Sequence, residues 1–138
     1  MSLSIGNSFF IRQKINIEDI KKIQKSNSPI QLTLWEKIKD FFFSTGKEKA
    51  YSCIAKLNNA LTELNSKEAK KHFLTLKDLA SEEHKNRFIE YCYHDNYGEK
   101  IKVFELKDNN WETIIKFQYS NDENFFSYRV LDVKITNL

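Results

Sequence analysis

The hydrophobic period of this chain changes once, near residue 86, and that change limits the folds open to it. Before it, apolar residues recur at helical spacing. Ala50, Ile54, Leu57, Leu61 and Leu64 follow alternating steps of four and three, and Ala69, Phe73, Leu76 and Ala80 do the same. After it, "RFIEYCY", "KIKVFEL", "NWETIIKFQY" and "NFFSYRVLDVKI" alternate with a period of two and are rich in aromatic and β-branched residues. The connecting "HDNYGE", "KDNN" and "SNDE" carry the Asn, Asp and Gly of tight turns. Helices grouped ahead of hairpin-linked strands define an α+β fold: amino-terminal helices packed on or beside a C-terminal antiparallel β-meander of three to four strands.

Local signals place the elements. Asn16 is positioned to cap a short helix over residues 17 to 25, with Ile17, Ile20 and Ile23 on one side, and "SNSPI" at 26 to 30 ends it. Thr33 with Glu36, and Thr45 with Glu48, have the spacing of capping boxes, which predicts helix starts at both places. A third long helix follows Ser66. In the third strand Trp111, Thr113, Ile115, Phe117 and Tyr119 share one face, while the last strand changes face between Val130 and Leu131, which predicts a bulge.

Composition excludes several classes. A chain of 138 residues with 41% hydrophobic residues is the size of one domain and buries a real core. Its 22 Lys and Arg nearly match 19 Asp and Glu and are scattered rather than stacked, so nucleic acid is not an expected partner. Cys53 and Cys92 form no CxxC pattern and are too few for a disulfide framework, which fits a reducing destination. Asn7, Arg12 and Lys14 interrupt any secretory h-region, and no stretch reaches the roughly 20 apolar residues that span a bilayer.

No catalytic constellation emerges. "STGKEK" at 44 to 49 has the Gly46 and Lys47 of a phosphate loop, but the earlier Gly is missing, and Glu48 stands where a Mg²⁺-binding hydroxyl is required. Cys92 and His94 point to the same side of a strand without a surrounding motif, so a partly buried thiol and a surface imidazole are the expectation. His72 and His84, twelve residues apart on helical segments, read as solvated rather than metal-ligating, and Lys21, Lys22 and Lys25 as a wet helix face. No catalytic residue, metal ligand or cofactor is expected, and the chain is not expected to be an enzyme.

The segment "WEKIKDFF" at 35 to 42 sets Trp35, Ile38, Phe41 and Phe42 near one helical face, and Leu34 and Phe43 widen that stripe beyond the needs of a short helix. It fits the WEK(I/M)xxFF signature, and the chain resembles the amino-terminal domains of Salmonella-type effectors that a type III secretion system translocates into host cells. "IGN" at 5 to 7, "FFFSTGKEKA" and "FLTLKDLASEEHKNRF" extend the likeness over most of residues 1 to 135. The resemblance implies a secretion-signal segment over 1–30 and a single α+β domain over 31–138. It also implies a translocation motif of Trp35, Glu36, Lys37, Ile38, Phe41 and Phe42, with the type III secretion apparatus as a partner. The delivered protein is implied to reach the host cytosol and to associate with the pathogen-containing vacuole or other host membranes. Burial in the core and direct recognition are both compatible with the motif's spacing.

Members of that family usually carry a further domain: a lipid acyltransferase, a ubiquitin ligase with leucine-rich repeats, or a GTPase-engaging fold with a Trp-x-x-x-Glu motif. Here Ile115 stands four residues after Trp111, and Lys39 four after Trp35. The chain is therefore expected to be either a stand-alone minimal effector or the delivery domain of a longer protein. The terminal "ITNL", Ile135, Thr136, Asn137 and Leu138, matches the class I ligand of PDZ domains, in which a free carboxylate, an apolar last residue and a hydroxyl two positions earlier are captured by strand addition. This points to a non-enzymatic adaptor holding a host PDZ scaffold, and it requires residues from about Lys134 onward to be extended and free of the domain's own sheet. A stop codon after Leu138 would favour that reading, and an open frame would remove it. The alternative is a delivery and targeting domain of a larger effector that binds a host pleckstrin-homology-domain protein through its folded surface, the C-terminal strand and its flanks being implied by the resemblance.

Overall fold

The computed structural model describes residues 29–131 and the backbone of residues 133–137. The short helix expected over 17–25, nearly all of the segment 1–30, and Leu138 lie outside the described residues. Helix α1 spans Pro29–Ile38, α2 Lys47–Thr62 and α3 Ser66–Leu79. Short 3₁₀ turns at Lys39–Phe41, Ser44–Gly46 and Glu82–Arg87 join them to each other and to the sheet. The strands are β1 Phe88–His94, β2 Lys100–Lys107, β3 Thr113–Ser120, β4 Phe126–Val130 and β5 Val133–Asn137.

Neither expected capping box starts a helix. Helix α1 begins four residues before Thr33, at Pro29, whose missing N–H costs nothing at the first helical position, so Thr33 and Glu36 fall inside it. Helix α2 begins after Gly46, with no side-chain cap, and Thr45 belongs to the preceding 3₁₀ turn. The side-chain cap that does form is on α3, where Asn65 Oδ1 accepts from the Glu68 N–H at 3.1 Å.

The five strands form one antiparallel sheet in sequence order, β1-β2-β3-β4-β5, one strand more than the largest number expected. The segment "NFFSYRVLDVKI" is not one bulged strand but a hairpin. Val130 pairs with Val133, and Leu131 takes a left-handed φ of 57° in the two-residue link. Its N–H donates to the Ile114 carbonyl at 2.8 Å, which fixes the turn to β3. Aspartates organise the other three hairpins. Asp95 Oδ1 accepts from the Tyr97 and Glu99 N–H groups, Asp108 Oδ1 from those of Asn110 and Glu112, and Asp122 Oδ1 from that of Asn124.

The core lies between the α2–α3 pair and one face of the sheet. Ala50, Ile54, Leu57 and Leu61 of α2 and Ala69, Phe73 and Leu76 of α3 are fully buried, as their periodicity required. Phe73 meets three strands edge-on, with ring centroids 5.5 Å from Phe88, 5.4 Å from Phe104 and 5.8 Å from Phe117. Phe104, Phe117 and Phe126 continue as a stacked row across β2, β3 and β4. Ile115 and Tyr119 are buried as expected, but Trp111 leaves their face: it sits in the β2–β3 turn at φ 64° and is half exposed.

Two predictions follow from this packing. Phe73→Ala removes the ring that engages three strands and should cost about 3–5 kcal/mol, read as a lowered urea midpoint. Burial pushes the Tyr128 hydroxyl, beside Thr62, up from 10.0 to about 12, and pushes the Cys53 thiol up from 9.0 to about 11. Both groups fold in the neutral form with raised values, so their contribution is complete below the unfolded values and is lost as pH rises through the folded ones. Urea midpoints should therefore fall between about pH 9 and pH 12, and Tyr128→Phe should flatten part of that fall.

Candidate functional site

The WEKIKDFF segment, expected to be a translocation motif, is not one helix face. Helix α1 stops at Ile38, Lys39–Phe41 tighten into a 3₁₀ turn, and Phe42 is extended and bridges to Ala80 beyond α3. Ile38, Phe41 and Phe42 are buried in the core. Trp35 packs against that core half-buried, stacked on Phe42 at 6.0 Å and edge-on to Tyr51 at 5.4 Å. The charged members face outward: Glu36 pairs with Lys39 at 2.9 Å, and Lys37 lies 4.0 Å from the buried Asp108 that organises the β2–β3 turn. Ile38, Phe41 and Phe42 are thus structural, and the segment's accessible members are Trp35, Glu36 and Lys37, with the strongly exposed Phe43 just beyond it.

Among the described residues helices cover one face of the sheet, so the candidate interaction surfaces are exposed parts of its other face and its two edges. At the C-terminal edge, Lys116 of β3, Arg129 of β4 and Lys134 of β5 stand in cross-strand register. Like charges in register are unfavourable by about 0.2–1 kcal/mol per pair, and such a row is relieved by an anionic partner. Lys116 and Arg129, with Gln118 and Ser127, line a shallow hollow of about 120 Å³. Ile135, Thr136 and Asn137 do not form a free tail. They are the second half of β5, in register with Tyr128, Ser127 and Phe126. The expected unanchored ligand is corrected on this point, because the Leu131 turn folds the segment back onto β4.

At the opposite edge, β1 has a partner on one side only among the described residues. Tyr91 and Tyr93, 46% and 42% exposed, line up on the helix-free face. The Tyr91 hydroxyl donates to Glu105 at 3.0 Å, and Thr113, itself receiving a hydrogen bond from Lys107, donates to the other Glu105 oxygen. Burial raises the Glu105 pKa, but the Thr113 and Tyr91 hydrogen bonds and the Lys107 charge outweigh it and hold the carboxyl below its ordinary value. The Tyr93 hydroxyl donates to Gln118 at 3.3 Å. Beyond the start of β1, the Arg87 guanidinium lies 3.8 Å over the exposed Trp111 ring. Sequence reasoning missed this aromatic row, although its signal was present: Ile89, Tyr91 and Tyr93 alternate with Glu90, Cys92 and His94, so neither face of β1 matches a sandwiched strand.

The remaining candidates separate. Cys92 and His94 are both exposed on β1, without a hydrogen bond to each other, so the thiol is not partly buried as expected. The two imidazoles read as solvated are instead engaged. His84 stacks on Phe41 at 4.7 Å and pairs with Ser81 at 2.8 Å, while His72 lies 3.3 Å from Glu68. No cluster of metal-ligating side chains occurs among the described residues, and no described helix is long and apolar enough to cross a membrane. A groove of about 460 Å³ between α2 and α3 carries Lys49, Lys56 and Lys71 on its rim.

The profile of the Sif protein family matches residues 1–135 of this chain. The chain belongs to the Sif protein family. It is similar to two secreted effector proteins of Salmonella typhimurium strain LT2. SifA is 30% identical over 125 residues, 91% of this chain and 35% of SifA, and SseJ is 31% identical over 119 residues, 86% of this chain and 28% of SseJ. The chain spans about a third of the length of these curated relatives. Its fold resembles the crystal structure of the SifA–SKIP(PH) complex, with a TM-score of 0.60 and 26% identity over 81% of this chain and 36% of the matched one. A second crystal structure of SifA and SKIP matches with a TM-score of 0.60 and 25% identity over 82% of this chain and 37% of the matched one.

Trp35→Ala should lower the free energy of unfolding by about 2–4 kcal/mol, less than loss of a fully buried ring, because Trp35 braces Phe42 and Tyr51 from the surface. Trp35→Phe should recover most of it in urea titrations.

Proposed function

We propose that this chain is the delivery and host-targeting type of domain found in Sif effectors. In this reading a type III secretion apparatus passes it into the host cytosol, and there it works by holding a host protein rather than by turning over a substrate. The partner class is a pleckstrin-homology domain, and the docking surface is the C-terminal side of the sheet. Support comes from the likeness to SifA in its complex with SKIP(PH), which covers 81% of this chain, together with the basic residues Lys116, Arg129 and Lys134 at register positions across β3, β4 and β5. Association with the pathogen-containing vacuole or another host membrane belongs to the same reading. The lysines of the α2–α3 groove fit an anionic lipid surface at roughly 1 kcal/mol each.

The PDZ-adaptor reading is weaker. Residues 133–137 would first have to leave the ladder with β4, and their hydrogen bonds would be exchanged rather than gained.

Calorimetric titration of the purified chain with the pleckstrin-homology domain of SKIP should give saturable binding. Arg129→Glu combined with Lys116→Glu should weaken it by about tenfold or more, with the circular dichroism spectrum unchanged. Absence of binding by the unaltered chain would reject this partner class, and binding insensitive to the double substitution would move the interface elsewhere.

A further inference from the structure

The β1 edge differs from the opposite one in that its open side is flanked by two surfaces of unlike chemistry. The ladder with β2 fixes which backbone groups are available. The Asp95 N–H donates to the Glu99 carbonyl at 2.9 Å, and antiparallel pairs alternate from that point. Tyr93, Tyr91 and Ile89 therefore bond β2, whereas the N–H and C=O groups of His94, Cys92 and Glu90 point away from it. The seven residues of β1 contain no bulge and no proline, the devices that ordinarily blunt an exposed edge.

On the helix-free side this edge is bordered by Ile89, Tyr91 and Tyr93. On the helix side a hollow of about 240 Å³ is lined by Lys70 of α3, Lys100, Lys102 and Phe104 of β2, and the edge residues Glu90, Tyr91 and Cys92. Lys102 and Lys100 are the register partners of Cys92 and His94. Neither they nor Lys70 makes an ion pair among the described residues. Lys37, Lys39 and Lys107, by contrast, each have a carboxylate partner.

We propose that the open edge of β1 is a strand-addition site for an extended peptide segment in which acidic and apolar side chains alternate. Successive side chains of an added strand point to opposite faces, so one set lies over Tyr91 and Tyr93 and the other enters the lysine-rimmed hollow. Backbone pairing to Glu90, Cys92 and His94 supplies the affinity. The two faces supply the selection, the acidic positions being those beside Cys92 and His94 rather than beside Glu90. This site is distinct from the Lys116–Arg129 surface and does not depend on the pleckstrin-homology reading.

The test uses the whole chain and a fluorescein-labelled octapeptide alternating Glu with Val or Phe, followed by anisotropy. The alternating peptide should bind saturably, while a peptide of the same composition with its glutamates in one block should bind about tenfold more weakly or not at all. Methylating alternate backbone nitrogens of the peptide, to remove the pairing amides, should abolish binding without altering the protein. Lys100→Glu with Lys102→Glu should weaken binding about tenfold or more, and Lys116→Glu with Arg129→Glu should leave it unchanged. Cys92→Pro removes an outward N–H, as an edge strand tolerates, and should abolish binding while the fold persists by circular dichroism. Should that variant unfold, the methylated peptide decides. Equal binding of the blocked or the methylated peptide would overturn the proposal, as would a stable dimer by sedimentation that Cys92→Pro dissolves, which would assign the edge to a second copy of this chain.

Discussion

The fold depends on one side chain entering one hollow: Phe73 of α3, set edge-on against Phe88, Phe104 and Phe117. A helix pair and a five-stranded sheet are two layers with no covalent cross-link, since Cys53 and Cys92 are both free. Their relative position therefore rests on apolar contact, and a ring that touches three strands fixes translation along the sheet and across it together. The row Phe104, Phe117 and Phe126 extends this register toward the C-terminal edge, and Tyr128 beside Thr62 returns it to α2. The Cys53 thiol donating to the His72 carbonyl at 3.1 Å ties α2 to α3 beneath.

Most of the two-layer arrangement was legible because periodicity reports burial directly. The stripe Ala50, Ile54, Leu57 and Leu61 and the alternation of Ile115, Phe117 and Tyr119 are each one face of an element against one core. What escaped depends on backbone conformations that side-chain identity does not advertise. Leu131 and Trp111 adopt left-handed φ values that bulky residues seldom take, so the "LD" hairpin carried no strong signal, and the turn marked by "KDNN" gave no sign that it extends to Trp111. The capping boxes failed for a related reason. Thr33–Glu36 and Thr45–Glu48 have the spacing, but Pro29 opens α1 earlier and Gly46 precedes α2, so neither threonine is at a boundary. The interaction surfaces were legible only in part: the WEKIKDFF segment stood out in the sequence, whereas the registers of Lys116, Arg129 and Lys134, and of Lys100 and Lys102 beside β1, exist only once the strands are paired.

Among the described residues the helices pack on one face of the meander, and that has a functional logic. The covered face contributes cohesion, and the other face and the two edges are left to evolve contacts without disturbing the core. The chain belongs to the Sif protein family and spans about a third of the length of its curated relatives. The two edges are not equivalent here. One carries a basic row across β3, β4 and β5, and the other separates tyrosines from lysines on opposite faces.

The burial of Ile38, Phe41 and Phe42 sets a population constraint on any partner that would have to touch them. A reader that needs those three side chains binds only molecules in which the core is open. For a domain of ordinary stability, about 5–15 kcal/mol, that fraction is on the order of one in 10⁴ or less, and the apparent affinity falls by the same factor. The apolar half of the signature is therefore legible on a chain that has not yet folded or is held unfolded, and folding itself erases it. Stability and accessibility stand in opposition at these positions: each increment that tightens the Phe41–Phe42 packing lowers the fraction of molecules in which a partner could reach them.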